Sequence, residues 1–169
     1  MEIWDVYDEN GNLTGETCVR GVDLPAGGYH LVVHVWIRNQ RGEYVVSQRA
    51  ASRPTHALKW ECVGGSVVSG EKGFEGALRE TLEEVGISLD LSKGKLVKKV
   101  TRGTVHGKRY HDILEVWLFS YDGDIPLAQA TTDEVAQAKW LTCEEIRALF
   151  DQGEMVPSLT YFWEDIVNA

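Results

Sequence analysis

Between Lys72 and Val85 the apolar residues Phe74, Leu78, Leu82 and Val85 recur at intervals of three and four, the period that lines side chains along one face of an α-helix. The segments around it read differently. Residues 29–37 run Tyr-His-Leu-Val-Val-His-Val-Trp-Ile, and 43–49 follow after Asn39, Gln40, Arg41 and Gly42. These β-branched and aromatic runs predict two strands that pair at the centre of a sheet. A periodic helix interleaved with strands is incompatible with a helical bundle or a β-sandwich, and requires an α/β fold with helices packed on a mixed sheet.

The remaining segments extend this pattern. Ile3 to Tyr7 and Leu13 to Val19 flank Asn10, Gly11 and Asn12, a turn sequence that predicts an N-terminal β-hairpin within residues 1–26. Gly86 supplies a stop for the helix. Further strands are expected over 96–105, 113–121 and 138–141. Thr142 and Glu145 form a capping box that opens a second helix through Phe150, with Gly153 near its end. Leu159 to Val167 is amphipathic and is expected to cover the sheet. At 169 residues with 43% hydrophobic content, the chain can bury a core as a single domain over residues 1–169.

A formal net charge of −9 disfavours duplex nucleic acid, whose binding depends on Lys and Arg displacing counterions. Glu2 and Asp5 stand where a signal peptide would carry basic residues, and no apolar run approaches a membrane span, so a cytoplasmic protein is expected. Cys18, Cys62 and Cys143 are odd in number and widely spaced, which fits reduced thiols better than disulfides or a zinc site.

Glu80, Glu83 and Glu84 sit at i, i+3 and i+4 of the helix, which stacks three carboxylates on one face. That face is expected to lie opposite the Phe74, Leu78, Leu82, Val85 stripe, away from the core. Clustered like charge calls for solvation or a neutralising cation, and oxygen ligands suit Mg²⁺ or Mn²⁺. Taken alone, Glu-x-x-Glu-Glu also describes an ordinary solvated helix.

The surrounding residues 65–87 resemble the Nudix box, G-x5-E-x7-R-E-U-x-E-E-x-G-U with U a bulky apolar residue. Gly65, Glu71, Arg79, Glu80, Glu83, Glu84, Gly86 and Ile87 match, and Thr81 departs at the first apolar position. The resemblance implies a layered α/β/α fold and a hydrolase that cleaves a diphosphate linkage in a small phosphorylated substrate such as a nucleoside diphosphate derivative. It assigns Glu80, Glu83, Glu84 and the Gly64 carbonyl to a Mg²⁺ site, with Mn²⁺ an alternative. Arg79 has no lone pair to offer a metal, and is read instead as holding Glu71 or a neighbouring carboxylate. The implied partner is a small-molecule diphosphate, with neither duplex nucleic acid nor membrane, and with a homodimer possible.

Trp4 to Asp8, Tyr29-His30, Ser47 to Arg49 and Asp133 to Val135 with Trp140 look like the Nudix branch related to isopentenyl diphosphate isomerase. The isomerase itself needs a cysteine and a histidine just before the helix, where this chain has Gly64, Gly65 and Ser66, with Cys62 nearby but out of register. An isomerase-like activity and a non-catalytic nucleotide-binding module are therefore the alternatives to hydrolysis. His30 and His34 share a strand face and suggest a metal pair, or else partly buried strand residues or substrate contacts. Arg49, Glu115 and Glu134 are further candidates for substrate contact. So are Arg102 and Arg109, within the basic concentration of Lys98, Lys99, Arg102, His106, Lys108, Arg109 and His111. Signatures of particular Nudix substrates are missing from the sequence.

Overall fold

The computed structural model describes residues 1–105 and 107–169; His106 and the side chains of Val105 and Lys108 lie outside the described residues. The chain opens with a hairpin, β1 (Ile3–Tyr7) and β2 (Leu13–Val19). Its turn is closed by Asp8, whose Oδ1 accepts the backbone N–H groups of Asn10 and Asn12, both at 2.9 Å. Gly11 there takes a φ of 80°, open to glycine without strain.

β3 (His30–Arg38) is the spine of the main sheet. It pairs in parallel with β8 (Lys108–Ser120) and antiparallel with the short β6 (Val63–Ser66). β7 (Gly94–Val105) completes that side by pairing with β8. β4 (Tyr44–Arg49) meets β3 only at Arg38 and Tyr44, then diverges to pair with β5 (Trp60–Glu61) and β9 (Val135–Leu141). β3 and β4 are neighbours in the main sheet, as expected, but their paired stretch is short, because most of that edge of β3 is taken by β6, a strand the residue pattern did not predict.

Alternation along β3 divides the core. Val33, Val35 and Ile37 face α1 (Gly73–Val85), with Ala77, Val85 and Ile87. Trp36 faces Phe162 and Ile166 of the C-terminal turn and Ile146 of α2 (Cys143–Asp151). This is the helix-on-sheet layering predicted, with α2 opened by the Thr142–Glu145 capping box. The segment after α2 is not regular α-helix: a tight 3₁₀ turn at Pro157–Leu159 is followed by a wider π-helical turn at Phe162–Ile166. Among the described residues no helix is long and apolar enough to cross a membrane.

α1 buries a face that only partly coincides with the predicted stripe: Val85 is buried and Leu78 packs on the same core, but the rest of the contact comes from other positions. Gly73, Gly76, Ala77, Thr81, Glu84 and Val85 are buried, whereas Leu82 is 47% exposed. The glycines and alanine let the helix approach closely: a Cβ on Gly76 would stand 2.9 Å from Val67 Cγ2. Thr81 completes this face by returning its hydroxyl to Ala77 O at 2.8 Å. The expectation that the acidic face points away from the core is overturned, since Glu84 is only 7% exposed.

Candidate active site

The close approach of α1 brings its carboxylates onto the backbone of β6. The Gly64 N–H donates to the Glu84 carboxylate, and a Cβ on Gly65 would overlap the carboxyl of Glu80. Only glycine leaves this space open. The same two glycines line a cavity of about 210 Å³, together with Val32, His34, Arg49, Arg53, Glu61 and Cys62 and the turn residues Val156, Ser158 and Leu159.

Arg79 holds the acidic residues in register. Its Nε and Nη2 donate to the two oxygens of Glu71 at 2.8 and 3.1 Å, and Nη2 also reaches Ser66 O at 3.0 Å. Nη1 donates to Glu80 at 2.8 Å and Glu83 at 3.2 Å. The guanidinium thus clamps Glu71 as the residue types suggested, and engages Glu80 and Glu83 as well. As they stand, no three acidic, imidazole or thiolate side chains among the described residues converge on one point.

Burial pushes the Glu80 carboxyl up to about 7, with Arg79 opposing and Glu83 reinforcing the shift. Burial also lifts Glu84 well above the usual carboxylate range, and Glu80, Glu61 and Glu134 add to it. Neighbouring acids this far from water favour a proton or a cation in their midst. An all-oxygen set drawn from Glu80, Glu83, Glu84 and the Gly64 carbonyl fits a hard divalent ion such as Mg²⁺ or Mn²⁺.

The other sequence candidates divide. Arg49 lines the cavity, and its Nη1 bonds Glu61 Oε1 at 2.7 Å. Glu134 does not line the cavity but pairs with Arg53, which does, at 2.9 Å. Arg102 lines a second cavity of about 350 Å³, with Lys98, Val100, Tyr110, Leu114 and Tyr161. Ser158 belongs to both cavities.

The remaining candidates line neither cavity. Glu115 contacts Lys99 and Trp117 and lies against Gly73 at the start of α1, where a carboxylate complements the helix dipole. Arg109 is exposed near the end of the β7–β8 hairpin. His30 stacks on Trp4 with ring centroids 4.2 Å apart, while His34 bonds Tyr161, so each histidine has its own partner. Within the basic concentration, Lys98 pairs with Asp165, Lys99 with Glu115 and Arg102 with Asp112.

Several cavity residues escaped the sequence reading. Glu61, whose carboxyl is pushed up by burial against the pull of Arg49, and Arg53 come from the loop and strand before the Nudix-like segment. The Tyr161 hydroxyl bonds His34 Nδ1 at 2.7 Å and Trp36 Nε1 at 3.1 Å. It also faces the Cys62 thiol, whose pKa burial raises well above the ordinary value. Burial holds the His34 imidazole neutral by lowering its pKa to about 3.

Comparison with known proteins places this geometry. The NUDIX domain family matches residues 28–159. An uncharacterized Nudix hydrolase of Listeria monocytogenes is 34% identical over 158 residues, which is 93% of this chain and 89% of that protein. An isopentenyl-diphosphate Delta-isomerase of Streptomyces coelicolor is 32% identical over 91 residues, covering 53% of this chain and 46% of that protein, so the likeness to the isomerase branch is partial. A crystal structure from Deinococcus radiodurans superposes with a TM-score of 0.71 at 22% identity, covering 92% of each chain, and shares the fold. The glutamate-bearing helix laid across Gly64 and Gly65 falls within the matched residues, and the chain belongs to the Nudix hydrolase family.

Proposed function

We propose that the protein is a Mg²⁺-dependent hydrolase that cleaves a diphosphate linkage in a small substrate such as a nucleoside diphosphate derivative. The observation that carries this reading is the meeting of half-buried Glu80 and buried Glu84 with a cavity bearing Arg49 and Arg53, at Gly64 and Gly65. Glu80, shared with Arg79, and Glu84, which has no ion pair among the described residues, border a space that Arg49 and Arg53 also line.

Glu80, Glu83, Glu84 and the Gly64 carbonyl would hold the ion, with Mn²⁺ able to replace Mg²⁺. A bound divalent cation supplies Lewis acidity toward a phosphoryl oxygen and toward water. Arg79 keeps the carboxylates facing β6, and Arg49 and Arg53 would turn from Glu61 and Glu134 toward phosphate oxygens within the cavity. A carboxylate of the set that is not engaged by the ion takes the proton from the attacking water.

The test is a screen of nucleotide and isoprenoid diphosphates, scored for released phosphate or monophosphate with Mg²⁺ and with excess chelator. Chelator-sensitive turnover supports the reading. Conversion of isopentenyl diphosphate to an allylic isomer without phosphate release would replace it with the isomerase alternative. Ligand binding without any turnover would replace it with a non-catalytic module.

A further inference from the structure

His34 lies on the face of β3 that carries Val32 and Trp36, next to Gly64 in the β3–β6 register. A Cβ built on Gly64 would meet His34 Cδ2 at 3.2 Å, so the Cδ2–Nε2 edge of the ring runs beside the glycine wall. Nδ1, on the other side of the ring, contacts the Tyr161 hydroxyl at 2.7 Å. Nε2 makes no hydrogen bond among the described residues, yet it is not sealed from solvent, because it opens on the cavity that His34 lines.

Hydrogen-bond direction is fixed from the far end of this chain. An indole N–H can only donate, so Trp36 Nε1 gives its proton to the Tyr161 oxygen at 3.1 Å. The hydroxyl proton then has two acceptors within reach, His34 Nδ1 and the Cys62 sulfur. A thiol sulfur is a weak acceptor and an imidazole nitrogen a strong one. The proton goes to Nδ1, and a neutral imidazole that accepts at Nδ1 carries its own hydrogen on Nε2.

We propose that Tyr161 and Trp36 lock His34 as the Nε2–H tautomer, and that this N–H donates to a phosphate oxygen of the substrate beside Gly64. The cavity chemistry matches, since Arg49 and Arg53 line the same space. His34 is then a binding residue that neither gives up nor takes a proton during hydrolysis, and Tyr161 and Trp36 are positioning residues acting through it. The choice of ligand rests on the hydrolase reading, whereas the tautomer does not.

The tautomer is measured on metal-free protein labelled with ¹⁵N-histidine, using proton–nitrogen NMR that reports which ring nitrogen carries the hydrogen, with His34→Gln to assign the signals. The expected result is protonation at Nε2 in the wild type and a mixture of tautomers in Tyr161→Phe. Protonation at Nδ1 in the wild type, or an unchanged tautomer in Tyr161→Phe, overturns the lock. Methylene diphosphonate, whose P–C–P link resists hydrolysis, is then added with Mg²⁺ and should move the Nε2 signal. A signal that stays put through saturating probe overturns the phosphate contact.

Kinetics provide a further readout. Loss of a hydrogen bond to a charged group predicts that His34→Leu raises KM by roughly 10- to 100-fold with a smaller change in kcat. His34→Gln, whose amide N–H falls near the position of Nε2, should recover most of that loss. An unchanged KM in His34→Leu, with wild-type hydrolysis intact, defeats this inference and leaves the hydrolase reading standing. An Nε2–H tautomer in a protein that hydrolyses nothing does the reverse.

Discussion

Arg102 grips Asp112 at two points, Nε to Oδ1 and Nη2 to Oδ2, both at 2.7 Å, with side chains only 13% and 6% exposed. The guanidinium also lies over the Tyr110 ring, 4.3 Å from its centroid. A cation so committed to a buried carboxylate contributes little net charge to the cavity it lines. Arg102→Gln should therefore act first on stability, lowering it by about 3–5 kcal/mol because Asp112 is left buried and uncompensated. Arg109→Gln, on the exposed hairpin, should stay within about 0.5 kcal/mol of wild type. Urea unfolding of the two variants decides the matter, and equal midpoints would mean that the ion pair is not formed in solution.

Glu83→Gln and Glu84→Gln remove a ligand charge while nearly preserving shape. Each is expected to weaken Mg²⁺ binding and to depress turnover by orders of magnitude. Calorimetric Mg²⁺ titration and initial rates measure the two effects. Wild-type values in either variant would remove that residue from the proposed metal site.

The Glu80 carboxyl, ordinarily near 4.5, is pushed up to about 7 by burial. Between those limits the folded protein holds a proton that the unfolded chain has released, so the metal-free protein loses stability as pH rises through this window. Mg²⁺ must displace that proton. Its stabilising effect should be small at pH 5.5 and large at pH 8, as read from the shift in Tm on adding the ion. A shift that does not depend on pH would contradict the raised pKa of this carboxyl.

These acids also mark where sequence reading stopped. The helix, both capping residues of α2, the N-terminal hairpin and the residue types of the Nudix box were legible because each depends on near neighbours. The buried face of α1 was not: hydrophobic periodicity chose Leu82, whereas packing chose Gly73, Gly76 and Ala77, whose small size allows the approach that buries Glu84. β6 was hidden because two of its four residues are glycine, which β-propensity scores poorly. Contacts such as His34 with Tyr161, 127 residues apart, depend on topology, and no local pattern encodes them.

Cys62 lines the cavity and faces the Tyr161 hydroxyl, but burial raises its thiol pKa well above the ordinary range. A thiol held neutral is a poor nucleophile. Cys62→Ser should retain most hydrolytic activity, since the serine hydroxyl is close to the thiol in size and no step of hydrolysis uses the sulfur. Complete loss of activity in a variant with an unaltered circular dichroism spectrum would instead favour cysteine-dependent isomerase chemistry.

Gly64 and Gly65 offer a way to separate fold from function. A Cβ on Gly64 would stand 2.7 Å from the carbonyl oxygen of Val33, an atom fixed in the sheet, so Gly64→Ala should disturb the β3–β6 pairing and lower stability. At Gly65 the overlap is with the carboxyl end of Glu80, a side chain that can rotate away without moving backbone. Gly65→Ala should therefore fold with a stability change of about 1 kcal/mol or less, within the range of substitutions outside a rigid core. The displaced Glu80 would no longer lie along β6 or meet Arg79 Nη1 at its present distance, and activity should fall far more than stability. Paired measurements of urea midpoint and kcat/KM for both variants test this. Gly65→Ala with full activity would show that the position of Glu80 against the glycine wall is dispensable, and would move the catalytic weight onto Glu83 and Glu84.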